Sequence, residues 1–200
     1  MDWDALAARY DAQLWLERKP LRAALNLARP GEDDRLLDVG TGTGAVLKWL
    51  ARDARRPRQV TGVDSSAAML ARVGPLPVGW GVLLADVSSL PMESESFDVA
   101  VASYVLHVLD APGRMPALTE IHRVLRPGGV LVTVTPALPL RSDNPVHRRI
   151  VRWLEREAGP RRGLLPLDPR TLLVAAGFDV EQTRRVWMGY PSLCVRALRR

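Results

Sequence analysis

Cysteine is almost missing from this 200-residue chain: Cys194 stands alone, which excludes an intramolecular disulfide and any metal site built from several thiolates. Lysine is nearly missing as well, since only Lys19 and Lys48 interrupt a basic complement that is otherwise arginine. No apolar run reaches the roughly 20 residues that a membrane-spanning helix needs. The longest, Val99–Leu109, is broken by Ser103, Tyr104 and His107. The opening Met1-Asp2-Trp3-Asp4 is acidic and carries no secretory pattern, so the expected location is the cytoplasm. No internal repeat, no aromatic-basic nucleic-acid module and no linker long enough to set off a second domain is present. The net charge of +6 comes from arginines spread along the chain. Such a balance bears on solubility and non-specific contacts before it bears on function. A single domain over 1–200 is therefore expected, long enough to bury a large core.

What is present is organised around Leu36–Gly44, Leu-Leu-Asp-Val-Gly-Thr-Gly-Thr-Gly. The apolar start reads as a buried parallel strand. Gly40, Gly42 and Gly44 read as a tight turn that lets backbone pass close to a ligand. Ala45–Ala51 follows as a helix with Leu47, Leu50, Ala51 and Ala54 on one face. Strand, glycine turn and helix N-terminus make a site for a nucleotide-like ligand. Gly40-x-Gly42-x-x-Ala45 also satisfies the dinucleotide fingerprint, so a nicotinamide-dependent oxidoreductase is an alternative at this point.

Ahead of that turn, residues 1–30 form a helical preface of two segments. The first carries Trp3, Leu6, Ala7, Tyr10 and Leu14, and the second resumes at Leu21 after an interruption at Pro20. Five apolar segments follow at the spacing of alternating strands and helices: Leu36–Val39, Val60–Val63, Val82–Ala85, Val99–Ser103 and Val130–Thr135. The clearest intervening helix is Met115–Arg126, whose first turn suits Pro116 and which ends at Pro127-Gly128-Gly129. This alternation predicts a doubly wound α/β fold around a parallel sheet. Residues 136–167 break the rhythm as an insert with one amphipathic helix. Asp168-Pro169 starts another helix, which Gly177 stops. Phe178–Trp187 and Leu193–Leu198 then close the chain as a hairpin.

In an open α/β sheet, ligands lie beyond the C-terminal ends of the strands. Here those ends carry Asp38, Asp64, Asp86 and Ser103. A lone Asp at such a place is often a cap or turn residue, and Ser65, Ser66 and Ser88 offer caps too. Three consecutive strand ends carrying a carboxylate are harder to assign to turns alone.

With these residues in view, the chain resembles the class I S-adenosylmethionine-dependent methyltransferases, in the small-molecule group that includes quinone methyltransferases. The resemblance rests on Asp38–Gly44, Gly62–Leu70, Ala85-Asp86-Val87 with Leu90-Pro91 and Phe97-Asp98, and Val124–Gly129. It implies a Rossmann-like seven-stranded sheet of order 3-2-1-4-5-7-6 with the last strand antiparallel, and S-adenosyl-L-methionine as cofactor. It further implies that the turn from Gly40 through Thr41 and Gly42 to Gly44 faces the methionine and ribose portion, with Asp38 near the ammonium. Asp64, with Ser65 beside it, takes the ribose hydroxyls in this reading. Asp86 and the Val87 N–H take the adenine edge, and Met69 packs on its face. Ser103 and Tyr104 lie near the sulfonium, and Tyr10 borders the pocket.

The acceptor is expected to be a small molecule, apolar or aromatic, and not nucleic acid. The candidate substrate-side residues are Trp3, His107, His147, Trp153 and Trp187. His107, just past the fourth strand, is the candidate general base. A methyltransferase-like protein that binds cofactor without turnover is a further alternative. Peripheral membrane contact and a monomer or homodimer complete the expectations, and no metal is expected.

Overall fold

The computed structural model describes residues 14–138, 144–153, 165–187 and 191–200. The described elements run in chain order as α1 (Leu14–Ala28), β1 (Arg35–Val39), α2 (Ala45–Leu50), β2 (Gln59–Asp64), α3 (Ala67–Leu70), β3 (Trp80–Leu84) and β4 (Phe97–Ser103). They continue with α4 (Ala111–Val124), β5 (Leu125–Pro136), α5 (Pro145–Trp153), α6 (Arg170–Ala175), β6 (Phe178–Val186) and β7 (Ser192–Arg199). The strands form one seven-stranded sheet of order β3-β2-β1-β4-β5-β7-β6. The first five are parallel, and β7 lies antiparallel between β5 and β6. The predicted order, including its antiparallel strand, is the observed one.

The period-two pattern of the central strands divides the core into two layers. Leu36, Val60, Val99, Val101, Val132 and Val134 point to the face covered by α1 and α2. Their neighbours Leu37, Val39, Val63, Ala100, Ala102 and Leu131 point to the face covered by α4 and α6. Strands buried on both faces read as continuous apolar runs, which is why these segments were legible. Cys194 sits in β7, fully buried. Burial pushes its thiol up to about 12, so it packs as a small apolar residue.

Two helix expectations change. Pro20 does not interrupt the preface within the described residues, because α1 runs through it from Leu14 to Ala28. An internal proline costs about 3 kcal/mol, and the burial of Leu21, Ala23, Ala24 and Ala28 against the sheet offsets that loss. The helix expected at Met115 begins at Ala111, where Asp110 caps it by accepting from the Gly113 N–H at 2.9 Å. Pro112 takes the first turn, and Pro116 falls in the second. Its C-terminal end is also earlier than expected, since Leu125 and Arg126 already belong to β5. Leu125 pairs with Phe97 there, across an irregularity in register.

Helix α4 also fixes the connection that follows β3. Glu120 accepts from the Leu90 N–H at 2.8 Å. Arg123 donates to the carbonyls of Leu90 and Met92 at 2.9 and 2.8 Å. The segment that carries Asp86 is thereby tied to a helix whose Leu118, Ile121 and Val124 are fully buried.

Candidate active site

The strand ends expected to carry chemistry meet at one cavity. It is lined by Gly40 and Gly42 after β1, Val63 to Ser65 at β2, Met69 on α3, Ala85 to Val87 after β3, and Ser103 to Val105 with Val108 and Leu109 after β4. This is the crevice beside the topological switch, where β1 has β2 on one side and β4 on the other.

The glycine turn is built by close approach. A Cβ on Gly40, whose φ is +63°, would lie 2.3 Å from Cγ2 of Val105, so the chain leaving β4 packs directly on the turn. Gly62, inside β2, serves the same turn from the other side: a Cβ there would meet the Thr41 hydroxyl at 2.9 Å. The sequence reading took Gly62 only as the start of the second-strand motif, although a glycine inside a strand is a signal of close backbone approach. Thr41 itself is buried and turned inward. Its N–H donates to the Val63 carbonyl at 2.8 Å and its hydroxyl to Asp38 at 2.6 Å.

Asp64 is the hinge of the cavity wall. One carboxylate oxygen accepts from the Gly42 N–H at 2.8 Å, and the other accepts from the Ser66 N–H at 2.9 Å. Both oxygens are thereby oriented while each keeps a further lone pair for a ligand hydroxyl. Ser66 is the cap of α3, accepting from the Met69 N–H at 3.1 Å. Ser65 is exposed at the mouth and Met69 is buried in the wall. Across from them, the Ser88 hydroxyl at 2.7 Å and its N–H at 2.8 Å hold one oxygen of Asp86. These bonds keep its carboxyl below the usual carboxylate range.

Asp38 differs in kind. It is buried, and one of its oxygens has no hydrogen-bond partner among the described residues. Burial chiefly, with Asp64 nearby adding to it, raises its pKa to about 7 despite the Thr41 hydrogen bond. Its carboxylate does not line the cavity described above; it stands behind the glycine turn. The linkage has a definite sign. A carboxyl raised from about 4 to about 7 binds its proton more readily when folded, so its contribution is present at low pH and lost as pH rises across that window. At about 1.4 kcal/mol per pKa unit the loss is at most roughly 4 kcal/mol. Asp38→Asn keeps an acceptor for Thr41 and removes the charge, so the variant should melt several degrees above the wild type at pH 8 and near it at pH 4. Thermal melts at both pH values read this directly.

After β4 the chain turns sharply. Tyr104 has φ +59°, a left-handed conformation that costs a bulky residue of order 1–3 kcal/mol. It is held by its N–H to the Val134 carbonyl at 2.8 Å and by a 2.6 Å hydrogen bond between its hydroxyl and that of Ser192. Tyr104 borders the cavity, and its hydroxyl is committed to Ser192 of β7. The turn brings Val105, Val108 and Leu109 into the cavity wall, which the sequence reading did not foresee.

His107 lies behind that wall. It is buried, edge-on to the Tyr104 ring at 5.8 Å between centroids. Burial, and secondarily Arg114, lower its pKa to about 3, so the imidazole is neutral. Neither His107, Asp38, Thr41 nor Gly44 is among the residues lining the described cavity. Gly44 instead caps α2.

The substrate-side expectations fall largely elsewhere. Trp3 and Tyr10 lie outside the described residues, and His147 and Trp153 lie on α5, where nothing further is described of their side chains. Trp187 follows β6, half-buried, with the Arg185 guanidinium stacked on its ring at 4.9 Å. It is not part of the cavity.

Residues 37–133 match the family described as "Methyltransferase domain". Among similar proteins, the ubiquinone/menaquinone biosynthesis C-methyltransferase of Syntrophotalea carbinolica is 36% identical over 178 residues, which cover 83% of this chain and 71% of that protein. The demethylmenaquinone methyltransferase of Lactiplantibacillus plantarum is 32% identical over 154 residues, 74% of this chain and 62% of that protein. The chain thus spans about two thirds of the length of these relatives. Among solved structures, the 1,6-didemethyltoxoflavin-N1-methyltransferase of Burkholderia thailandensis superposes with a TM-score of 0.70. It is 20% identical, and the match covers 98% of this chain and 85% of that one. That structure holds its substrate and S-adenosylhomocysteine.

Proposed function

The chain belongs to the S-adenosylmethionine-dependent methyltransferase family, and from that premise we propose that it methylates a small apolar or aromatic acceptor of the quinone type. The observation that carries the reading is the set of oriented acceptors at neighbouring strand ends. Asp64 offers two oxygens fixed by backbone N–H groups, and Asp86 presents a pre-set carboxylate two residues past β3. Behind the turn, Asp38 keeps a buried oxygen without a partner among the described residues. Two of these are the acceptors that a ribose and an adenine amine need, and the third suits an ammonium group. The residues therefore fit the cofactor. Neither the fold nor the relatives support the nicotinamide alternative.

Bound S-adenosylmethionine supplies an activated methyl group on a sulfonium centre. The protein's part is to hold and to exclude water. In this reading Asp64 orients the ribose, and Asp86 with the Val87 N–H reads the adenine edge. Met69 packs against the ring, and the Gly40–Gly42 backbone leaves space for the chain between. Val105, Val108 and Leu109 give an apolar wall towards Ser103, against which an apolar acceptor is desolvated. Alignment of this kind supplies roughly 7–11 kcal/mol of barrier reduction.

In this reading His107 packs behind the wall and does not take the acceptor's proton, because burial lowers its pKa to about 3 and leaves a neutral but weakly basic imidazole. His107→Asn should therefore leave the pH profile of kcat unchanged in shape and lower kcat by less than about tenfold. A base's removal typically costs about 10²–10⁴-fold, and a loss of that size would return His107 to the catalytic role.

The reading is tested by incubating the protein with S-adenosylmethionine and a demethylated naphthoquinol, with mass spectrometry of the products. A product heavier by one methylene supports it. Binding of S-adenosylhomocysteine without methylation of any quinol or phenol would favour a non-catalytic or differently directed protein.

A further inference from the structure

A second cavity, of about 690 Å³, opens at the far end of α2 from the glycine turn. Its walls are the C-terminal half of α1, the last turn of α2 and the loop that leads to β2. Four arginines, Arg22, Arg29, Arg55 and Arg56, line it together with Trp49 and the single carboxylate Asp53. All four arginines are exposed, and none has an ion-pair partner among the described residues. The carboxylates nearest in sequence are already engaged. Asp53 accepts from the Arg55 N–H at 2.9 Å. Glu32 and Asp33 pair with Arg58 at 3.5 and 2.7 Å. Asp34 accepts from the Gly31 N–H at 2.7 Å. The cavity therefore gathers four guanidinium groups without ion pairs among the described residues, against one carboxylate, beside a half-buried indole.

A backbone observation points the same way. Arg29 follows the last residue of α1 with φ +47°, and its N–H closes the helix on the Leu25 carbonyl at 3.0 Å. Glycine is the residue favoured at this left-handed helix end. Here an arginine occupies it, with its Nε donating to the Asn26 carbonyl at 3.4 Å and its guanidinium at the cavity. A local preference is overridden at the one position of the turn that delivers a positive charge to the cleft.

We propose that this cleft binds a phosphate-bearing planar ligand of nucleotide type, with the guanidinium groups on the phosphates and Trp49 against the ring. Guanidinium forks match phosphate oxygens in pairs, and an indole face accepts a heteroaromatic ring in stacking. The volume is that of an ordinary small-ligand pocket. The site is distinct from the methyl-transfer cavity, which shares no lining residue with it.

The test is calorimetric titration of the full chain with GTP in the presence of saturating S-adenosylhomocysteine, which fills the cofactor cavity. Guanosine and inorganic phosphate are titrated in parallel. The expected result is saturable GTP binding, weaker binding of phosphate, and weaker binding still of guanosine. In Arg29→Gly/Arg56→Ala, GTP affinity should fall by about tenfold or more. The melting temperature should not fall with it, because glycine suits the Arg29 backbone, and S-adenosylhomocysteine affinity should be unchanged. Absence of saturable GTP heat, equal affinity for guanosine, or an unaltered variant would overturn the proposal. So would a single-stranded oligonucleotide binding far more tightly than GTP, which would make the cleft part of a nucleic-acid surface.

Discussion

Replacing Asp64 by alanine should weaken S-adenosylhomocysteine binding by at least about 100-fold, the consequence of losing two charge-assisted hydrogen bonds at roughly 1.5–3 kcal/mol each. The effect has two sources. The ribose loses its acceptors, and the Gly42 and Ser66 N–H groups lose the oxygens that orient the turn and α3. The second source makes an unusual prediction about the isosteric change. In Asp64→Asn the amide can present only one oxygen, so its NH₂ group must face one of the two backbone N–H donors. Asparagine should therefore be no better tolerated than alanine, although it keeps the size and shape of aspartate. Calorimetric titration of both variants checks this, with thermal melts to separate loss of binding from loss of fold. An Asp64→Asn protein that binds within a few fold of the wild type would show that the carboxylate does not clamp both N–H groups.

The second large effect is expected at Gly40. Alanine there must accept φ +63° and place its Cβ 2.3 Å from Cγ2 of Val105. A left-handed alanine costs roughly 1–2 kcal/mol and overpacking roughly 1–3 kcal/mol. Together these should lower the melting temperature by roughly 5–15 °C for a chain of this size and disturb the cavity wall on both sides of the contact. Val105→Ala in the Gly40→Ala background removes the overlapping methyl and leaves the backbone strain. The double variant should thus recover part of the lost stability, with a coupling of about 1–3 kcal/mol in a double-mutant cycle. Strict additivity of the two changes would mean that Val105 does not pack on the turn.

Both residues illustrate what could be read from the sequence. Gly40 and Asp64 each express a local rule, one of backbone geometry and one of a carboxylate at a strand end, and such rules survive folding. The strands were legible because β1, β2, β4 and β5 are buried on both faces and so read as apolar runs, whereas their order was implied by the family resemblance. The antiparallel β7 was foreseen through the family resemblance and the terminal hairpin pattern.

What the sequence left unread is tertiary in origin. Pro20 should interrupt a helix by its own chemistry, and only the packing of Leu21, Ala24 and Ala28 against the sheet lets α1 pass through it. Pro116 and Pro112 are equally good first-turn residues, and the Asp110 cap decided between them. For Asp38, expected near the ammonium, and His107, the candidate base, the sequence shows the residue type and not its burial. Burial separates them from Asp64 and Asp86, raising the pKa of the first and lowering that of the second. The positive φ of Tyr104 has no sequence signal in a tyrosine, yet it sets which of the residues after β4 wall the cavity. The cleft of Arg22, Arg29, Arg55 and Arg56 joins segments far apart in the chain, which a reading by charge runs cannot detect.

The most direct test of the central claim is calorimetric titration of the protein with S-adenosylhomocysteine, with NADH in parallel, at pH 7 and at pH 5. Saturable S-adenosylhomocysteine binding and none of NADH are expected, with weaker binding at pH 5. A protonated Asp38, with a pKa of about 7 before the ligand binds, then offers the ammonium group no charge. Binding of NADH alone would contradict the assignment of the cavity.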